Sequence, residues 1–200
     1  MENTKLKTKD VITVVLLSLI NIVIFSLGSF LYATPVTVLL MPIFYALFYG
    51  MVVFTIGVQV RKRGAMLIYC VIQGLIGFYL PYTLLYVVTG ILSELILSKT
   101  GYGDTKGLTA SYILQQLGMC FGSTVYPYVF AIRQTMEMIQ KQGSNELQFV
   151  ISGAGRFIMS WGWVLLLIAT AACAFIGSLL GKRVVNRHIL KASRAYEDEE

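Results

Sequence analysis

Six apolar runs, each near the length of one bilayer crossing and separated by short polar breaks, leave this chain few ways to fold. A hydrocarbon core about 30 Å thick calls for a helix of about 20 apolar residues. In lipid the backbone must satisfy its own hydrogen bonds, so such runs are helices. They fall at about 11–32, 36–60, 65–80, 82–97, 108–132 and 157–180, with a tail at 181–200 that is basic first and acidic at its end, Glu197 to Glu200. Only 13% of the 200 residues are charged and 56% are hydrophobic. Soluble domains carry roughly 25% charged residues, so this chain has too few polar side chains to cover an aqueous core. The expected fold is an all-α integral membrane bundle of six transmembrane helices, forming one membrane domain over 1–200.

The breaks carry their own signals. Pro35 separates the first two runs, and Pro42 and Gly50 are kink points within the second. Arg61-Lys62-Arg63-Gly64 is a sharp polar stop. Pro81 either divides two short spans or kinks one re-entrant element; the combined run is too long for one crossing, which favours two spans. Residues 98–107 are polar, Pro127 breaks the fifth run, and 133–149 reads as a polar segment, partly helical on the membrane surface. The first run is longer than the 7–15 residues of a signal-peptide core and ends without an A-x-A-like site, so it is read as a span. No repeat of 20–50 residues is visible, and no appended soluble domain is expected.

Orientation follows from the cations. Lys5, Lys7, Lys9, Arg61, Lys62, Arg63, Lys99, Lys106, Lys182, Arg183, Arg187, Lys191 and Arg194 fall on one side, and only Arg133, Lys141 and Arg156 on the other. The positive-inside rule then puts both ends in the cytoplasm of a multi-pass plasma-membrane protein. The same spacing explains the net charge of +6 without nucleic acid.

The residues of an enzyme are not visible. The one histidine, His188, has no ligand cluster beside it. No G-x-x-x-x-G-K-[ST] occurs, so ATP is not hydrolysed here by a P-loop. Cys70, Cys120 and Cys173 all lie in apolar runs without metal-ligand spacing, and their odd number argues against a disulfide framework. No catalytic residue, metal or bound cofactor is expected. Among intramembrane polar residues, Asn21, Gln59, Gln73, Gln115 and Gln116 read foremost as amides joining helices, and Glu94 as a side chain snorkelling toward Lys99.

Two features mark contacts or a site. Ala169, Cys173, Gly177 and Gly181 are spaced by four, as are Gly118 and Gly122. Small residues so spaced let a second backbone approach, from this chain or from another subunit. Aromatics gather at the non-cytoplasmic ends: Tyr32, Tyr79, Tyr82 and Tyr86 near the first turns, Tyr126 and Tyr128 around Pro127, then Trp161 and Trp163. They form either an interfacial belt or a pocket in which rings stack a substrate while Arg133 and Arg156 hold an anionic group. The candidate binding residues are Tyr32, Tyr79, Tyr82, Tyr126, Tyr128, Arg133, Arg156 and Trp161. With Met159 they suit an amphipathic, aromatic and anionic molecule, a vitamin or a haem held by an axial Tyr or Met.

Six spans in about 200 residues, the opening Lys5-Leu6-Lys7-Thr8-Lys9-Asp10 and the R-K-R-G-A stretch at Arg61 to Ala65 resemble the MptD (Trep_Strep) family of energy-coupling factor (ECF) transporter S components. The resemblance implies a binding subunit that captures a scarce micronutrient outside. It would pass the cargo through an ECF T subunit energised by two ATPase subunits, which use the ATP, and Ala33 to Thr37 would act as a lid. This chain departs from a pattern in many S components, an A-x-x-x-A docking pair on the first helix; Thr8, Thr13 and Ser18, spaced by five, stand there instead. Two other roles fit the residues: a stand-alone membrane scaffold or regulator, and an autonomous facilitator of a small solute.

Overall fold

A computed structural model of the chain describes residues 5–77, 79–142 and 153–189. All regular structure among them is helical. Helix α1 (Thr8–Leu27) passes through a 3-10 turn (Gly28–Ala33) into α2 (Pro35–Gln59), and α3 (Ala65–Ile76) pairs with α4 (Leu80–Thr100). Helix α5 (Thr105–Cys120) continues as a π-helical stretch (Phe121–Phe130), and α6 (Ile132–Gln142) follows. A short α7 (Gly153–Phe157) and a π-helical turn (Ile158–Gly162) lead into α8 (Trp163–Val184), which ends in a further π-helical turn (Val185–Ile189). The acidic end of the tail, with Lys191 and Arg194, lies outside the described residues, as do the side chains of Lys141 and His188.

Among the described residues four helical stretches are long and apolar enough to cross a membrane: Thr8–Leu27, Leu39–Gln59, Leu80–Thr100 and Gly153–Arg187. The other two expected runs differ in kind. Helix α3 has 12 residues, only about 18 Å at 1.5 Å per residue, and ends four residues short of the expected boundary. Helix α5 buries Ser111, Gln115 and Gln116, which lower its hydropathy. Pro81 neither kinks a long element nor shortens α4. It occupies the first turn of a 21-residue helix, where a missing N–H costs nothing. Pro127 acts inside its helix: without its N–H the α pattern gives way to π winding, and Ala131 N reaches back five residues to Tyr126 O at 2.9 Å.

Local chemistry explains the ends. Thr34 and Thr37 cap α2 reciprocally, with Pro35 in the first turn. Asp104 Oδ2 accepts from Gly107 N at 2.7 Å at the start of α5. Helix α3 starts after Gly64, whose φ of 94° suits a residue without a Cβ, and has no side-chain cap of its own. Glu94 of α4 fills that role: its Oε1 accepts from Met66 N at 3.0 Å and Leu67 N at 3.3 Å, and its Oε2 from Tyr102 OH at 3.1 Å. These bonds replace the expected reach toward Lys99. Burial first, and the Glu94 carboxylate second, push the Tyr102 phenol up to about 12, which keeps its proton available for donation. Lys62 Nζ lies 2.7 Å from Asp10 Oδ2 and fastens the basic loop to the start of α1.

Helix α2 is the centre of the bundle, with Ala46, Val53 and Ile56 wholly buried. It crosses α8 with no side chain between the backbones. A Cβ added at Gly177 would strike the Ala46 and Leu47 carbonyls, one at Gly181 the Gly50 carbonyl, and one at Gly50 the Gly177 carbonyl. On α4, Gly118 meets the Thr89 side chain and Gly122 the Tyr82 Cα. The four glycines of the two ladders thus face helices of this chain, while Ala169 and Cys173 are half-buried above them.

Gly177→Val is expected to lower stability by about 3 kcal/mol, because a backbone, unlike a side chain, cannot yield to the new methyls. Gly153→Ala, with nothing within 4 Å of the added Cβ, is expected to stay within about 0.5 kcal/mol. Thermal unfolding of both variants in detergent makes the comparison.

Candidate functional site

The helices enclose a cavity of about 620 Å³ at the end of the bundle opposite the basic loops. The later residues of α1 (Ile22, Phe25, Ser26), the earlier ones of α2 (Met41, Pro42, Tyr45, Tyr49) and the last turn of α3 (Gln73, Ile76, Gly77) form one side. Tyr79 and Tyr82 at the start of α4, with Met119, Ser123, Thr124 and Tyr128 from α5 and its π-helical extension, form the other. Arg61, Lys62, Arg63, Lys99, Lys106, Lys182 and Arg183 stand at the far ends of these helices.

The wall is aromatic and uncharged. Phe25 and Tyr45 stack with centroids 5.6 Å apart, and Tyr45 and Tyr49 at 5.1 Å. Tyr45 OH donates to Phe25 O at 3.2 Å, which holds that ring against α1. Tyr82 meets the buried Tyr86 edge-on at 5.1 Å. Not one of the sixteen lining residues is Asp, Glu, Lys, Arg or His. Polar contact is left to phenols, hydroxyls and one amide, Gln73, whose Nε2 donates to Ser18 O at 3.2 Å. Below this level Asn21 Nδ2 donates to Tyr69 OH at 2.7 Å, and Gln115 Nε2 to Ser93 Oγ at 3.1 Å, so amides do join helices. Gln59 is exposed at the end of α2. Among the described residues no three His, Cys, Asp or Glu side chains converge as a metal site.

Of the residues singled out in the sequence, Tyr79, Tyr82 and Tyr128 line the cavity. Tyr126 is half-buried and is not among the lining residues. Arg133 and Arg156 are exposed outside it, on α6 and α7, so neither supplies a cation to the wall. Trp161 is 81% exposed, and Met159 is exposed beside it. The side chains of Tyr32, Ala33, Pro35 and Val36 lie outside the described ones, and the Ala33 to Thr37 backbone joins the 3-10 turn to α2. Helix α6 packs Ile132 and Met136 against Leu39 and Tyr128 while Gln134 and Glu137 face outward.

Sequence reasoning passed over Phe25, Tyr45 and Tyr49. A signal existed: Met41, Tyr45 and Tyr49 are spaced by four and share one helix face, but they sit in an apolar run where aromatics need no explanation.

Ser123 lies exposed on the cavity wall. In a Cys173→Ala background, Ser123→Cys is expected to react with a maleimide dye in detergent. Cys70 and Cys120, both 0% exposed, should remain unlabelled. An unreactive Cys at 123 would mean the cavity is closed to solutes of that size.

No curated protein matches this chain, and no solved structure does. A family model described as "Hypothetical bacterial integral membrane protein (Trep_Strep)" matches residues 8–191, nearly the whole chain. The chain belongs to that family of bacterial integral membrane proteins.

Proposed function

We propose that this chain is the substrate-binding S subunit of an ECF-type importer. It captures a scarce micronutrient at the outer face and passes it to a T subunit powered by two partner ATPases. The observation that carries the reading is the aromatic, uncharged cavity of about 620 Å³ at the end away from the basic loops. Cavities of roughly 300–1,000 Å³ lined by aromatics and a few polar groups suit small molecules. With six helical passes, α3 and α5 included, and both ends in the cytoplasm, the cavity faces outward from the plasma membrane. The missing nucleotide motif then has a simple account, since ATP is used by other subunits and this chain is not an enzyme.

The lining revises the expected cargo. Among the described residues the wall holds no cation, and an anion brought against it would lose its hydration without replacement, which is costly. The cargo is therefore a neutral aromatic molecule, or one whose charge stays at the mouth; a vitamin or a porphyrin falls in this size class. The scaffold role draws less support, because the glycine ladders that would receive a partner are filled by helices of the same chain.

Purification from the native membrane with mass spectrometry of co-purifying proteins and small molecules is expected to show a T subunit, two ATPases and a retained cargo. A chain that arrives alone yet conducts a solute would be a facilitator, and one that arrives with unrelated membrane proteins a scaffold. In intact cells a membrane-impermeant thiol reagent should label Ser123→Cys and spare Lys99→Cys. The reverse pattern would invert the topology. Arg133→Ala and Arg156→Ala should leave cargo retention unchanged; a loss in either would restore the anionic cargo.

A further inference from the structure

At the floor of the cavity one side chain stands out by its hydrogen bonding. Gln73 is 3% exposed yet reaches the cavity wall. Its Nε2 donates to Ser18 O at 3.2 Å. Of the two ends of the amide only the NH2 can donate to a carbonyl oxygen, so this bond fixes which end is which. The other end, Oε1, accepts no hydrogen bond from the described residues.

One helical turn deeper the same shortage recurs. Asn21 of α1 and Tyr69 of α3 lie a turn below Phe25 and Gln73, both 0% exposed. Asn21 Nδ2 bonds Tyr69 OH, while Asn21 Oδ1 has no partner. Two carbonyl acceptors on adjacent helices therefore have no donor among the described residues, Asn21 Oδ1 in the interior and Gln73 Oε1 on a side chain that lines the cavity. An acceptor held in an apolar surround without a donor is destabilising. It becomes favourable when a ligand brings the donor, and it then disfavours any ligand that lacks one.

We propose that Gln73 is the specificity-determining residue of the cavity, its Oε1 accepting a hydrogen bond from a neutral aromatic cargo that carries a hydroxyl, amino or ring N–H group. The stacked rings of Phe25, Tyr45 and Tyr49 hold the ring system, and the donor points down onto Gln73. Asn21 stands behind it as a second acceptor for a cargo that reaches further. This rests on the cavity being the binding site.

The test uses two neutral bicyclic probes, 2-naphthol and 2-methoxynaphthalene, in which one methyl group replaces the donor hydrogen. Dissociation constants come from titration calorimetry on the full chain in lipid nanodiscs, with empty nanodiscs as the blank. The natural chain is expected to bind 2-naphthol at least about tenfold more tightly. In Gln73→Met, which keeps length and removes the acceptor, the preference should fall to about threefold or less. Equal binding of both probes by the natural chain overturns donor recognition while the cavity remains a binding site. A full preference kept in a folded Gln73→Met moves the acceptor elsewhere and overturns the assignment. Binding of neither probe removes the cavity reading and this inference together.

Discussion

Where α2 crosses α8, two backbones touch, and the arrangement of the rest of the bundle is set from there. Lipid tails are as apolar as leucine, so helices in a bilayer are held by close packing and polar contacts instead of by hydrophobic exclusion. Gly50, Gly177 and Gly181 provide the closeness, and any Cβ at these positions meets a carbonyl. The same point gathers a third helix, since Tyr112 OH of α5 donates to Ala46 O at 2.6 Å. Fixing Ala46 and Gly50 toward α8 also fixes the rotation of α2. Tyr45 and Tyr49, one residue earlier and about 100° round the helix, are thereby turned toward α1 and the cavity. The aromatic wall is a consequence of where the glycines are.

The two ends of the bundle are built differently. At the basic end each helix start has an acceptor: Glu94 for α3, Asp104 for α5, and Asp10 for α1, through Lys7 N at 2.8 Å. At the cavity end the backbone is irregular, with a 3-10 turn after α1, π winding at Phe121–Phe130 and Ile158–Gly162, and a non-helical Ser160 (φ −93°, ψ −116°). Irregular backbone at membrane depth is tolerated where it is buried in protein or lines a cavity, and Thr124 and Tyr128 of the first π stretch do line one. Between the ends, α5 buries both amide atoms of Gln116 without a partner among the described residues, at a cost of about 1–3 kcal/mol each.

What the sequence shows depends on whether a residue is unusual where it stands. Glycines at four-residue spacing and amides in apolar runs are conspicuous, and each directs attention to a helix contact that needs no knowledge of the neighbour. The charged breaks are equally legible, because the loops hold most of the cations. Tyr45 and Tyr49 are not legible, since an aromatic in an apolar helix is ordinary and only the rotation of α2 gives it a role. Arg133 and Arg156 mislead in the opposite sense. They lie near the right turns in sequence, but α6 and α7 carry them to the outside, and adjacency along the chain does not fix which face a helix presents. Glu94 needed the partner helix too: its acceptor role follows from α3 beginning without a cap, 28 residues earlier.

Glu94 also bears on where the energy for transport comes from. Among the described acidic residues, Asp10, Glu94, Asp104 and Glu137, it is the one well inside an apolar helix. A carboxylate that couples transport to protons must alternate between charged and neutral forms as the protein moves. Glu94 instead accepts from two backbone amides and a tyrosine at the basic end, away from the cavity. Neutralising it would loosen the start of α3 and leave the cavity wall unchanged, so a proton bound there has no direct means of releasing cargo. Among its described lining residues the cavity has no carboxylate or imidazole. On the proposed reading, work done on this chain therefore enters through contacts with other subunits and reaches the cavity by displacing helices.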